Sequence, residues 1–157
     1  MNSARLVLLF LLVAGAGCTR VDVSRPMPDA PAEKRYVRPT EVIGPYTPAV
    51  QAGRFLFVSG QIALDPQTGQ MVNGDIERET LQVLNNLRTV LRAAGYDSSD
   101  VVSATVYLKN MNDYQKMNLI YGGYFQEGNY PARATVGVTE LPRGANVEIV
   151  VMAYKSP

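Results

Sequence analysis

The feature that most constrains this chain is a change of hydrophobic period at Asp75. From there Leu84, Leu87, Leu91 and Ala94, flanked by Val83 and Val90, recur at helical spacing until Gly95, a residue suited to stop a helix. The segments on either side alternate instead with the period of two that a half-buried strand requires. Before the helix, "YTPAVQAGRFLFVSGQIALDPQTGQMV" predicts short strands around Tyr46–Gln51, Phe55–Ser59 and Gln61–Leu64, broken by the turn signals "AGR" and "DPQTG" and forming an antiparallel meander. After it, "VVSATVYLKN" alternates as a strand and "NDYQKMNLIYGGYF" predicts a second helix capped by Asn112. Two strands joined through "ELPRGA" close the chain. An amphipathic helix must bury its apolar face, and the sheet is the surface on offer, so the expectation is an α+β domain with an antiparallel-rich sheet packed by two helices.

The first 39 residues stand apart from this pattern. "MNSARLVLLFLLVAGAGC" carries one basic residue, Arg5, then an apolar run from Leu6 to Val13 and small residues up to Cys18, the layout of a secretory signal and too short to span a bilayer. The small residues ending in the chain's one cysteine resemble a bacterial lipobox, which makes Cys18 the candidate lipidation site. Gly15 stands where that motif usually has leucine, and "AGA" also serves as an ordinary cleavage site. From Thr19 to Pro39 four prolines and no apolar period describe a tether. The expected organisation is a signal peptide over 1–17, a tether over 18–39 and a folded domain over 40–157, exported to the cell envelope or periplasm and touching a membrane only through the N-terminal lipid.

Composition then limits the chemistry. Hydrophobic residues make up 46% of the chain and charged residues 18%, ordinary values for one globular domain. With no histidine and one cysteine, a Ser-His-Asp triad, a Cys-His pair and a histidine-ligated metal site are excluded within one chain. Carboxylates, arginine, tyrosine, hydroxyls and backbone groups must do whatever is done. The segment from Thr40 to Pro157 has nine basic and eleven acidic residues, 9 − 11 = −2, which argues against nucleic acid as a partner.

Two charges fall where strand alternation makes them expensive. In "NYPARATVGV", Ala132, Ala134, Val136 and Val138 take one face while Arg133, Thr135 and Gly137 take the other; in "NVEIVVMAY", Glu148 shares its face with Val150 and Met152. An unpaired charge in apolar company is costly. Periodicity alone leaves two readings open: a structural cross-strand ion pair between Arg133 and Glu148, or a site for a ligand.

The segments "IGPY", "FVSGQIALDPQTG", "LRAAGYDSSDVVSATVYLKNMNDYQKMN" and "YPARATVGVTELPRGANVEI" resemble, in order and spacing, the Rid family of reactive intermediate/imine deaminases, also called the YjgF family. The likeness runs from about Ile43 to Tyr154. It implies a chorismate mutase-like fold assembled as a homotrimer, with small pockets between neighbouring subunits. It also implies roles: Arg133 of "PAR" holds the substrate carboxylate, backbone groups at Thr135 help fix it, and Glu148 of "VEI" orients a water. Tyr46 of "IGPY", Ser59 of "SGQ" and Asn118 of "KMN" match positions lining the same pocket. Thr135 stands where many members have cysteine, so thiol redox chemistry is not carried over.

The resemblance implies hydrolysis of small 2-imino or 2-enamino acids, such as 2-aminoacrylate, to the 2-keto acid and ammonia. Such imines hydrolyse readily, so holding a carboxylate and presenting one water suffices, and no metal or organic cofactor is required. Two other functions stay open: binding of small carboxylates without turnover, and a holdase or translation-inhibiting ribonuclease activity of the kinds known in relatives. Export separates the chain from the cytoplasmic enzymes that generate the family's usual substrates.

Overall fold

A computed structural model describes residues 33–72 and 74–156. The predicted signal peptide, Cys18 and most of the predicted tether lie outside the described residues. The long helix, α1, spans Ile76–Ala94. Asp75 caps it, its side chain accepting from the Arg78 N–H at 2.9 Å, and Glu77 and Glu79 occupy the positive first turn. Gly95 ends it at φ 83°, a left-handed conformation that leaves its N–H facing the carbonyls of Leu91 and Arg92. The predicted stripe is buried: Val83, Leu84, Leu87, Val90 and Leu91 are each at most 1% exposed. Burying each leucine stabilises the fold by roughly 1.5–3 kcal/mol.

The second helix, α2, spans Tyr114–Tyr124 and buries Met117 and Tyr121. The expected cap at Asn112 is displaced. A 3-10 turn over Met111–Asp113 precedes the helix, and Asn110 caps that turn, its side chain accepting from the Asn112 N–H. Asparagine at either position has the chemistry of a cap; the extra turn decides which one is used.

Six strands form one sheet: β1 Lys34–Val37, β2 Ala49–Ala52, β3 Phe55–Gln61, β4 Val101–Leu108, β5 Ala132–Gly137 and β6 Val147–Tyr154. Their spatial order is β1-β2-β3-β6-β4-β5, with every pair antiparallel except β4 and β5. The exception follows from connectivity, since parallel neighbours need a long crossover and α2 with its flanking turns supplies it. This is an α+β domain with a mixed sheet and two helices.

Three expectations are corrected. Lys34–Val37, assigned by sequence to the tether, is an edge strand paired with β2. Val37 is buried, and Arg35 donates to Gln51 Oε1 and to the Ala94 carbonyl at the negative end of α1. The predicted strand from Tyr46 begins only at Ala49, because Tyr46 sits in a turn with its N–H on the Gly44 carbonyl. The predicted strand Gln61–Leu64 is instead the end of β3, which runs on through Gln61, followed by a lone bridge between Leu64 and Met71.

One face of the sheet carries the core. Leu56, Val58, Ala104, Val106, Leu108, Val147, Ile149 and Val151 are buried in one cluster with the apolar stripe of α1. Among the described residues, no helix covers the opposite face. Phe55, Phe57, Val102 and Val136 are exposed there, while Val150 and Met152 are half-buried.

Candidate active site

Arg133 lies on β5 in register with Ala104 of β4, so it points to the core side, towards α2. The alternation expected of this strand is present, but its alanine face is the outward one: Ala132, Ala134 and Val136 are exposed, whereas Arg133 and Thr135 are half-buried. The guanidinium centre lies 4.5 Å above the ring of Tyr121 and 5.8 Å from that of Tyr114. Its Nη2 donates to Tyr114 Oη at 3.2 Å. A guanidinium over an aromatic face gains roughly 0.5–2 kcal/mol, more as water is excluded.

No carboxylate neutralises this cation among the described residues. Their one ion pair joins Lys155 and Asp100 at 4.0 Å. The cross-strand pair between Arg133 and Glu148 is thereby ruled out within the chain, for a topological reason. β4 separates β5 from β6, and Glu148 is in register with Tyr107, three residues from the partner of Arg133. An odd separation along a strand puts the two charges on opposite faces of the sheet.

The surroundings of Arg133 hold further unspent polar groups. The hydroxyls of Thr135 and Tyr121 are buried without a hydrogen-bond partner. Burial pushes the Tyr121 hydroxyl up to about 12, against the opposing pull of the Arg133 charge. Asn118 is half-buried on α2, four residues after Tyr114 and three before Tyr121, so it belongs to the same helix face.

Glu148 occupies the other face. It is half-buried, and loss of water around its carboxyl pushes it above the usual carboxylate range. Its carboxylate makes no hydrogen bond among the described residues, and it lies against Gly60. Between Val58 and Gln61 the register of β3 against β6 slips by one residue, a β-bulge centred on Ser59 and Gly60. A Cβ on Gly60 would overlap Glu148 Oε1 and lie 2.7 Å from Cδ, so the missing side chain makes the room that the carboxylate fills.

Ser59 and Tyr46 adjoin this second group. The Ser59 hydroxyl donates to the Thr47 carbonyl at 2.6 Å, and its N–H to the Pro48 carbonyl at 2.9 Å, which anchors the turn carrying Tyr46 to the bulge. Tyr46 is 43% exposed and lines a groove with Gly60 and Gln61 that includes neither Arg133 nor Glu148. The predicted site residues therefore fall into two separate groups within the chain. Arg133, Thr135 and Asn118 belong to the β5–α2 side; Glu148, Ser59 and Tyr46 cluster about the bulge. Sequence reasoning passed over Gly60, Tyr114 and Tyr121. The glycine of "SGQ" and two tyrosines spaced two turns apart were the available signals.

The family described as Endoribonuclease L-PSP, to which the Rid and YjgF proteins belong, matches residues 37–155. The chain belongs to the Rid family. A RutC family protein of Pyrococcus horikoshii is 53% identical over 113 residues, 72% of this chain and 89% of the relative. The mouse 2-iminobutanoate/2-iminopropanoate deaminase is 50% identical over 115 residues, 73% of this chain and 84% of the relative. Among solved structures, TdcF of E. coli with bound serine superposes with a TM-score of 0.72 at 33% identity, covering 78% of this chain and 97% of TdcF. Members of the Rid family thus include proteins named as imine deaminases and one crystallised with a small amino acid.

Proposed function

We propose that this Rid protein hydrolyses small 2-enamino or 2-imino acids to 2-keto acids and ammonia, at a pocket completed between copies of the chain in a homotrimer. The observation that carries the reading is Arg133: a half-buried guanidinium, seated on tyrosine and without a carboxylate of its own among the described residues. A planar fork of donors in that setting suits a substrate carboxylate held by two parallel bonds. The chemistry asked of the rest is small. An enamine first takes a proton on carbon to become the imine. Water then adds to the C=N carbon while Glu148 takes one of its protons and returns it to nitrogen, giving a carbinolamine. The carbinolamine hydroxyl passes its proton through Glu148 to the same nitrogen as the C=O forms, the C–N bond breaks and ammonia leaves. A carboxyl whose affinity for protons is raised by burial is suited to that relay.

The test is keto-acid release from freshly generated 2-aminoacrylate or 2-iminobutanoate, with Arg133→Ala as the control. Turnover well above the spontaneous rate, lost in the variant, is expected. A wild-type protein that leaves the spontaneous rate unchanged yet binds pyruvate in an Arg133-dependent way would favour carboxylate binding without turnover, a reading supported by the serine held in TdcF.

For location we propose export, with Cys18 as a lipidated mature N-terminus. The support is the run of small residues ending in the one cysteine, followed by a proline-rich stretch. Mass spectrometry of the membrane fraction tests it: a mature chain beginning at Gly17 with an unmodified thiol rejects the anchor.

A further inference from the structure

We infer that Tyr114 is a positioning residue for Arg133, fixing the rotation of its guanidinium so that the free edge of the fork faces a ligand. The claim builds on the carboxylate-binding role proposed above, but it is made of two contacts within the chain. The centre of the guanidinium lies 4.5 Å over the Tyr121 ring, a contact that holds the charge in place without choosing which of its nitrogens points where. Rotation is fixed at one point. Tyr114 Oη accepts from Nη2 at 3.2 Å and is the one hydrogen-bond acceptor for the Arg133 side chain among the described residues.

Geometry makes this contact directional. Tyr114 opens α2, and Tyr121 lies seven residues on, two helical turns along the same face. One helix therefore supplies both the platform and the stop. Since the Tyr114 oxygen receives a hydrogen from arginine, its own O–H remains to donate, adding a donor beside the fork. The Thr135 hydroxyl, buried and unpaired on the same face of β5, is a further donor there. Arginine, tyrosine and threonine donors on one side of the sheet suit an anion with several acceptor oxygens, which a carboxylate is. A hydrophobic residue at 114 would keep the packing and lose the alignment.

The test pairs Tyr114→Phe with Tyr124→Phe. Tyr124 also has a buried hydroxyl without a partner, but it packs against Phe125 and Arg88. For Tyr114→Phe, KM for the imino acid and Kd for pyruvate by calorimetry are expected to rise about tenfold, the scale of a lost bond to a charged group. The thermal midpoint should stay within a degree or two of wild type, and Tyr124→Phe should leave KM and Kd unmoved. A second readout needs no substrate. Phenylglyoxal adds across the two Nη nitrogens of arginine, so its rate at Arg133, followed by peptide mass spectrometry, should rise several-fold once Nη2 is released. If the wild type neither turns over imines nor binds pyruvate, the functional reading fails while the phenylglyoxal rates still decide the role of Tyr114. Equal rates at Arg133 in wild type and Tyr114→Phe overturn the positioning role, as does a wild-type KM in that variant.

Discussion

The carboxylate of Glu148 fills the space that Gly60 leaves by having no side chain. Gly60 has no left-handed φ, so its backbone accepts alanine, and the obstacle is the end of a flexible side chain. Gly60→Ala is therefore expected to fold, with a thermal midpoint close to wild type, while its Glu148 carboxylate is pushed aside by about an ångström. A misplacement of that size costs on the order of a hundredfold in rate. Comparing kcat with the thermal midpoint checks it; wild-type turnover in Gly60→Ala would show that the position of Glu148 does not matter.

The history of that pair shows how much the sequence disclosed. Glu148 was identifiable because strand alternation put it beside Val150 and Met152, and its face is the one expected. Gly60 was not, because nothing local announces that a bulge will bring it under a residue 88 positions away. Likewise α1 could be bounded from Asp75 to Gly95, where cap chemistry and period agree, whereas β1 was missed. Lys34–Val37 has only one buried residue, and what holds it is Arg35 reaching Gln51 and Ala94, contacts between segments far apart in the chain. The separation of Arg133 from Glu148 by β4 was equally invisible, since strand order depends on how the crossovers run and not on the strands themselves.

Arg133→Lys tests the fork against the charge. A lysine keeps the cation but offers a point contact in place of a planar pair of donors. Deaminase kcat/KM is expected to fall on the order of a hundredfold, with the fold and midpoint retained. Retention of most activity in the lysine variant would mean that attraction to a positive charge is all the site needs.

Burial raises the Glu148 carboxyl, and the sign of its effect on stability follows. The folded state holds this proton more tightly than the unfolded state, so the favourable contribution is present at low pH and is lost as pH rises through the raised value. Glu148→Gln removes the ionising group. Its thermal midpoint should exceed that of wild type at neutral pH, and the gap should close as pH falls into the ordinary glutamate range. A gap that is constant with pH, or that widens on acidification, contradicts the assignment.

Glu79 makes the opposite case, a carboxylate buried to 3% exposure whose place is structural. It accepts from Asn146 N at 3.1 Å and from Asn146 Nδ2 at 2.6 Å, tying α1 to the entrance of β6. Glu79→Ala strands two half-buried donors of Asn146, and unfolding free energy should drop by about 1–3 kcal/mol. Denaturant titration measures this directly, and a loss below about 1 kcal/mol would mean that water replaces the carboxylate there.

The opposite faces of Arg133 and Glu148 yield the most discriminating experiment. If a working pocket takes its arginine from one copy and its glutamate from the next, two inactive variants should repair each other. Arg133→Ala and Glu148→Gln, each dead alone, are unfolded together in equal amounts and refolded as a mixture. A pocket works only where the arginine-bearing chain precedes the glutamate-bearing chain around the ring. Random assembly gives that arrangement with probability one half times one half, so about a quarter of wild-type activity should return. Were both residues drawn from one chain, every pocket in the mixture would still lack one of them, and refolding together would restore nothing.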